Sequence, residues 1–179
     1  MGDLAEGLTF RPMAAADFPV MAKWLAQPHV RAFYQREPIS LAEVCDRYGP
    51  RLAEAWPTRC HIAESRGRPF AYLQCYRNSD WPDWAAEIEV VEGLSIDLYI
   101  GEPAFVGRGY GQAMLRAYVR DVAFPRWPDA ERCYIAHAAQ NVRALACSRA
   151  VGFRDIRLFD EDAVTMRLLA LERDQSSSR

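Results

Sequence analysis

The sequence predicts a mixed α/β fold, a mostly antiparallel sheet flanked by helices. Three observations predict it. Segments of strand and helix periodicity interleave in the order β-α-α-β-β-β-α-β-α-β-β, without a strict βαβ repeat. The clearest strand, Leu94 to Ile100, alternates apolar residues and runs into a glycine-rich turn and then a helix. The chain has 179 residues, 50% of them hydrophobic, which is enough for one domain with its own core. The expected domain covers residues 1–173, and the polar residues 174–179 are expected to fray.

Each element has a local reason. Leu8 to Met13 alternates as a first strand, which Pro12 ends. Ala14 to Ala26 carries Phe18, Met21, Ala22 and Leu25 at helical spacing. Residues 29–39 read as a loop or distorted turn. Ser40 followed by Glu43 is a capping box that opens a helix over about 41–55. Cys60 to Ala63 and Phe70 to Tyr76 read as a hairpin around residues 65–69. The tryptophan-rich stretch 78–92 reads as irregular. After the strand at 94–100, Gln112 to Phe124 is a helix that Pro125 ends. Arg132 to Ala136 is a strand, and Asn141 to Ala150 is a helix closed by Gly152. Phe153 to Phe159 and Val164 to Leu171 are the last two strands.

Composition narrows the function. A formal charge of −2 argues against a general nucleic-acid binder. No apolar run reaches the ~18 residues of a membrane span, and the acidic N-terminus lacks the regions of a signal peptide. The five cysteines are odd in number and have no C-x-x-C spacing, so neither a disulfide framework nor a metal site is expected. A cytoplasmic protein is expected. Lys23 is the only lysine among 22 basic residues, a bias that identifies no function.

The informative motif is Val106-Gly107-Arg108-Gly109-Tyr110-Gly111, between strand and helix. Three glycines let the backbone turn tightly, and its N–H groups ahead of a helix dipole suit a phosphate or pyrophosphate. On this motif alone the turn is either an anion cradle or a plain tight β-to-α turn. It has no lysine, so it is not a Walker A loop. It lies past the midpoint of the chain, where the dinucleotide fingerprint is not expected. Between Arg77 and Arg108 no residue is basic, while Asp80, Asp83, Glu87, Glu89, Glu92, Asp97 and Glu102 are acidic. That stretch is either a solvated acidic loop or one wall of a cleft for a cation. Asp97 is either a solvated strand residue or a carboxylate that holds an amine. Trp81 and Trp84 either stack on a sugar ring or cap the core. His137 is either structural or an acid or base near neutral pH. Nothing marks Cys147 as an activated nucleophile.

Together the turn and the segment Asn141-Val142-Arg143-Ala144 through Ala150-Val151-Gly152-Phe153 resemble the GNAT family of acetyl-CoA-dependent N-acetyltransferases. Its Q/R-x-x-G-x-G/A loop is matched at Gly109 and Gly111, with Val106 in the first position. From about residue 8 to residue 170 the chain is most similar to aminoglycoside 6′-N-acetyltransferases and related siderophore-biosynthesis acetyltransferases. The resemblance implies the GNAT fold, acetyl-CoA as co-substrate, and residues 106–111 with Asn141 holding it. It implies that Asp97 faces the acceptor amine as base or charge anchor, and that Gln74, Trp81 and Trp84 line the acceptor pocket. The tyrosine that protonates the leaving thiolate in the aminoglycoside enzymes is replaced by Ser148, and His137 stands where an acidic residue is usual. The implied partner is a small cationic amine, with neither nucleic acid nor membrane, and the chain is expected as monomer or homodimer. The alternatives are a siderophore precursor or a protein N-terminus as acceptor, or a module that senses acyl-CoA without turnover.

Overall fold

The computed structural model describes residues 6–173, so the expected fraying at 174–179 lies outside the described residues. The fold contains one seven-stranded sheet in the order β1-β2-β3-β4-β5-β7-β6. Its strands are β1 Leu8–Pro12, β2 Arg59–Ser65, β3 Arg68–Arg77, β4 Leu94–Ile100, β5 Arg132–Ala138, β6 Arg154–Glu161 and β7 Val164–Glu172. The sheet is mostly antiparallel, with β4 and β5 parallel. The chain divides into two compact units: residues through Gln74 with Leu98–Gly111, and Cys75–Asp97 with the residues from Gln112 onward.

The first unit holds β1, β2, most of β3, and the helices α1 Phe18–Leu25, α2 Pro28–Arg31 and α3 Leu41–Tyr48. β1 pairs antiparallel with β2 from Leu8–Ser65 to Pro12–His61. The capping box forms as predicted: the Glu43 amide donates to Ser40 Oγ (3.2 Å), and the Ser40 amide donates to Glu43 Oε2 (2.7 Å). α3 ends earlier than expected, at Tyr48, because Gly49-Pro50 turns the chain into a 3₁₀ segment. Part of the expected loop at 29–39 is the short helix α2, opened by Pro28 at a position that needs no N–H. Met21, Leu25, Val44, Tyr48, Ile62 and Tyr72 belong to the core of this unit.

The second unit holds α4 Pro82–Ile88, most of α5 Tyr110–Tyr118, α6 Phe124–Arg126, β5, α7 Val142–Val151, β6 and β7. α4 replaces the irregular stretch expected at 78–92. Pro82 opens it, and Ala85 and Ile88 are its buried face. α5 starts two residues before the expected helix. Pro125 does not end the segment at Phe124, because a π-helical stretch, Val119–Ala123, leads into α6, which contains the proline. β4 and β5 pair at Leu94–Cys133 and Ser95–Tyr134, so Asp97 lies just past their paired stretch. The alternation read along β4 is incomplete, since Ser95 and Tyr99 are buried as well as Leu94 and Ile96. Ile88, Tyr134, Phe159, Leu168 and Ala170 form one core cluster of this unit.

Candidate active site

The glycine-rich turn belongs to the first unit, and the residues just before it are tied down. The amides of Gly101 and Glu102 both donate to the Phe70 carbonyl, at 2.8 and 3.0 Å. A Cβ at Gly101 would lie 2.0 Å from Trp24 Cγ, so only glycine fits against that indole. Phe105 stacks on Phe70 at 4.6 Å, and Tyr110 packs edge-on against Phe105 at 4.7 Å and Phe70 at 5.6 Å. The two ends of the turn are therefore fastened to one aromatic group. Between them Gly107 and Gly109 take φ of +75° and +85°, a left-handed backbone that other residues reach at a cost. Gly107, Arg108 and Gly109 are exposed, and Arg108 makes no ion pair among the described residues. The Tyr110 ring is spent on packing, so what this segment offers a ligand is main chain at the head of the nine-residue α5. That arrangement fits a diphosphate.

Gln74, also in this unit, is held in place rather than left loose. Its Oε1 accepts from the Tyr72 hydroxyl (2.7 Å) and from the Arg51 guanidinium. Arg51 carries no motif in the sequence, and it meets Gln74 only through the fold.

In the second unit Asp97 is half-buried and accepts a hydrogen bond from the Tyr76 hydroxyl. Burial first, and then Asp97, push the Tyr76 phenol far above its ordinary range, so it stays a donor. Trp81 packs edge-on against Tyr76 at 6.1 Å. Glu161 stands close enough that its carboxyl is pushed up, by burial first and then by the charges of Glu87, Asp97 and Asp162. Glu161 therefore lies in the field of three other acids, while Arg157 nearby pairs with Glu89 at 3.2 Å. Trp84 is engaged inward: its Nε1–H donates to Ser95 Oγ (3.0 Å), Ser95 donates to Asn78 Oδ1 (2.7 Å), and its ring meets Phe159 edge-on. Tyr76 and Glu161 were also missed. Tyr76 had one faint signal, its place two residues after Gln74 on an alternating strand, whereas Glu161 has no local signal.

Near the end of β5, His137 Nε2 lies 2.8 Å from Ser148 Oγ on the buried face of α7. Burial pushes the imidazole down to about 4, so it is neutral at pH 7. Asn141 caps α7 by accepting from the Ala144 amide at 3.2 Å. Burial pushes the Cys147 thiol up to about 11, which leaves it no nucleophilic thiolate at neutral pH.

A family model described as an acetyltransferase (GNAT) domain matches residues 13–161. The aminoglycoside N(6′)-acetyltransferase type 1 of Klebsiella pneumoniae is 26% identical over 151 residues, 83% of this chain and 74% of the relative. The fold is similar to that of AAC(6′)-Ib in complex with paromomycin and acetyl-CoA, with a TM-score of 0.83, 23% identity and coverage of 94% of this chain and 95% of that one. It is also similar to the spermidine N-acetyltransferase of Vibrio cholerae in complex with CoA and spermine, with a TM-score of 0.76, 13% identity and coverage of 97% and 99%.

Proposed function

The chain belongs to the GNAT acetyltransferase family, and from that premise we propose that it moves the acetyl group of acetyl-CoA onto a primary amine of a small cationic molecule, aminoglycoside-like. The observation that carries the acceptor side is the acid set around Asp97. Carboxylates that raise one another's proton affinity are relieved when a cation arrives, so an ammonium is drawn there. The names of the relatives point to the same acceptor class.

The reaction needs three things of the chain. The turn at 106–111, with Asn141, holds the diphosphate and pantetheine arm of acetyl-CoA through backbone N–H groups and an amide. Asp97 holds the acceptor ammonium and takes its proton, directly or through one water, and Tyr76 keeps the carboxylate oriented. The amine nitrogen then bonds to the acetyl carbon, the carbon–sulfur bond breaks, the sulfur leaves as thiolate, and the nitrogen gives its surplus proton to water. His137 is neutral and has no stored proton to deliver. With its proton on Nε2, it donates to Ser148 Oγ and leaves the Ser148 hydrogen to solvate the thiolate. Gln74 and Trp81 are assigned to the acceptor pocket, while Trp84 supports it from behind through Ser95. None of the five cysteines is in a disulfide, as suits the cytoplasm.

Thiol release from acetyl-CoA in the presence of a panel of amines tests this reading. Turnover on kanamycin-type sugars is the expected result. Turnover confined to hydroxylamine siderophore precursors or peptides would replace the acceptor class. Tight CoA binding with no release on any amine would make the chain a sensing module.

A further inference from the structure

We propose that the Arg108 guanidinium reads the 3′-phosphate of acetyl-CoA, so that the chain selects coenzyme A over carriers that lack that group. The inference rests on the assignment of the turn at 106–111 to the diphosphate, and every residue it uses lies in the first unit. Main chain and side chain divide the work on this turn. Its backbone, left-handed at Gly107 and Gly109, presents N–H groups with partial charges, which suit the singly charged phosphates of a diphosphate. A Cβ at Gly107 would meet nothing within 4 Å, so the space beside the turn is open to a ligand. A phosphate monoester carries about −2 at neutral pH and calls for a full cation.

Arg108 is the only basic residue in the stretch Leu98–Gly111. It is exposed, and among the described residues its side chain has neither an ion pair nor a hydrogen bond. The one acid of that stretch is already engaged: Glu102 pairs with Arg68 at 3.4 Å, and the Arg68 guanidinium lies 5.6 Å from the Phe105 ring centroid. Phe105 and Tyr110, packed on each other at 4.7 Å, fix the ends of the turn, so the cation moves only by its own side chain. In coenzyme A the 3′-phosphate sits on the same ribose whose 5′ carbon carries the diphosphate. A ligand held by the main chain of the turn therefore brings its phosphate monoester within one sugar ring of the group held there. The planar fork of the arginine gives that monoester two parallel hydrogen bonds.

The test is calorimetry with coenzyme A and with 3′-dephospho-coenzyme A, which differ only in that group. The wild-type chain is expected to bind coenzyme A about tenfold more tightly or better. Arg108→Gln should bring the ratio of the two Kd values to about one, by weakening coenzyme A alone. Arg108→Lys should keep part of the ratio, as a point charge without the fork. Arg36→Gln removes an exposed positive charge from the loop between α2 and α3 and should leave the ratio as it is. Because the ratio is read within each variant, a loss of folded protein does not mimic the effect. Equal affinities in the wild-type chain, a ratio that survives Arg108→Gln, or a ratio that Arg36→Gln lowers as much would each overturn the proposal. Binding of neither carrier would instead overturn the assignment of the turn to the diphosphate, on which the proposal rests.

Discussion

The glycine turn and the acid set around Asp97 are built by opposite means. The turn is contiguous, six residues long, and presents main chain, and its side chains either pack inward, as Tyr110 does, or stand in solvent, as Arg108 does. The acid set is scattered: Tyr76, Glu87, Asp97 and Glu161 come from β3, α4, β4 and β6, and what matters is the charge on their side chains. A site made of backbone tolerates changes of side chain but not of conformation. A site made of side chains has the reverse sensitivity.

The comparison can be broken from either side. The largest effect is expected at Asp97, where Asn keeps the shape and removes the charge. Acetyl transfer should fall by about 10²-fold or more, with the affinity for acetyl-CoA unchanged by calorimetry. A variant with normal turnover would remove Asp97 from the chemistry. Gly109→Val should act in the opposite way. A β-branched residue at φ +85° costs ~1–2 kcal/mol of strain per residue, and its bulk stands where the ligand must approach. Acetyl-CoA binding should weaken by about tenfold or more, and undiminished affinity would show that the turn is only a turn.

The smallest effect is expected at His137. Its folded pKa, about 4, lies below the ordinary 6.5, so the unfolded chain takes up a proton that the folded chain refuses. Stability should therefore fall as the pH drops from about 6.5 toward 4. His137→Gln should make that fall shallower by up to about 1.4 kcal/mol per pH unit, measured by urea unfolding at a series of pH values. His61, which burial also lowers to about 4, keeps its own share of the slope. An unchanged slope would mean that His137 is exposed to solvent in the folded chain.

Much of the fold was legible because its causes are local. The Ser40–Glu43 capping box, the hairpin between β2 and β3 and the glycine at the end of α7 each depend on residues within a few positions of one another. The misses are places where packing overrode local signals. Stretch 78–92 reads as irregular because Pro82 and two tryptophans break the pattern, yet Ile88 buries itself against Tyr134 and Phe159 and pays for a helix. Pro125 reads as a stop, and a π-helical stretch absorbs it before Arg126.

By itself the sequence determined the order of the seven strands and the helices α1, α3, α5 and α7, the glycine turn, and Asp97 on its strand, since periodicity, capping and φ preference act over a few residues. Only the tertiary structure decided that Trp84 spends its N–H on Ser95, that Ser148 meets His137, that Glu161 shares its field with Asp97, and that Arg51 lies over the Tyr48 ring. Those facts depend on burial and on charges brought together across as many as 64 positions of chain, from Asp97 to Glu161, and neither distance nor dielectric is written in the local order of residues.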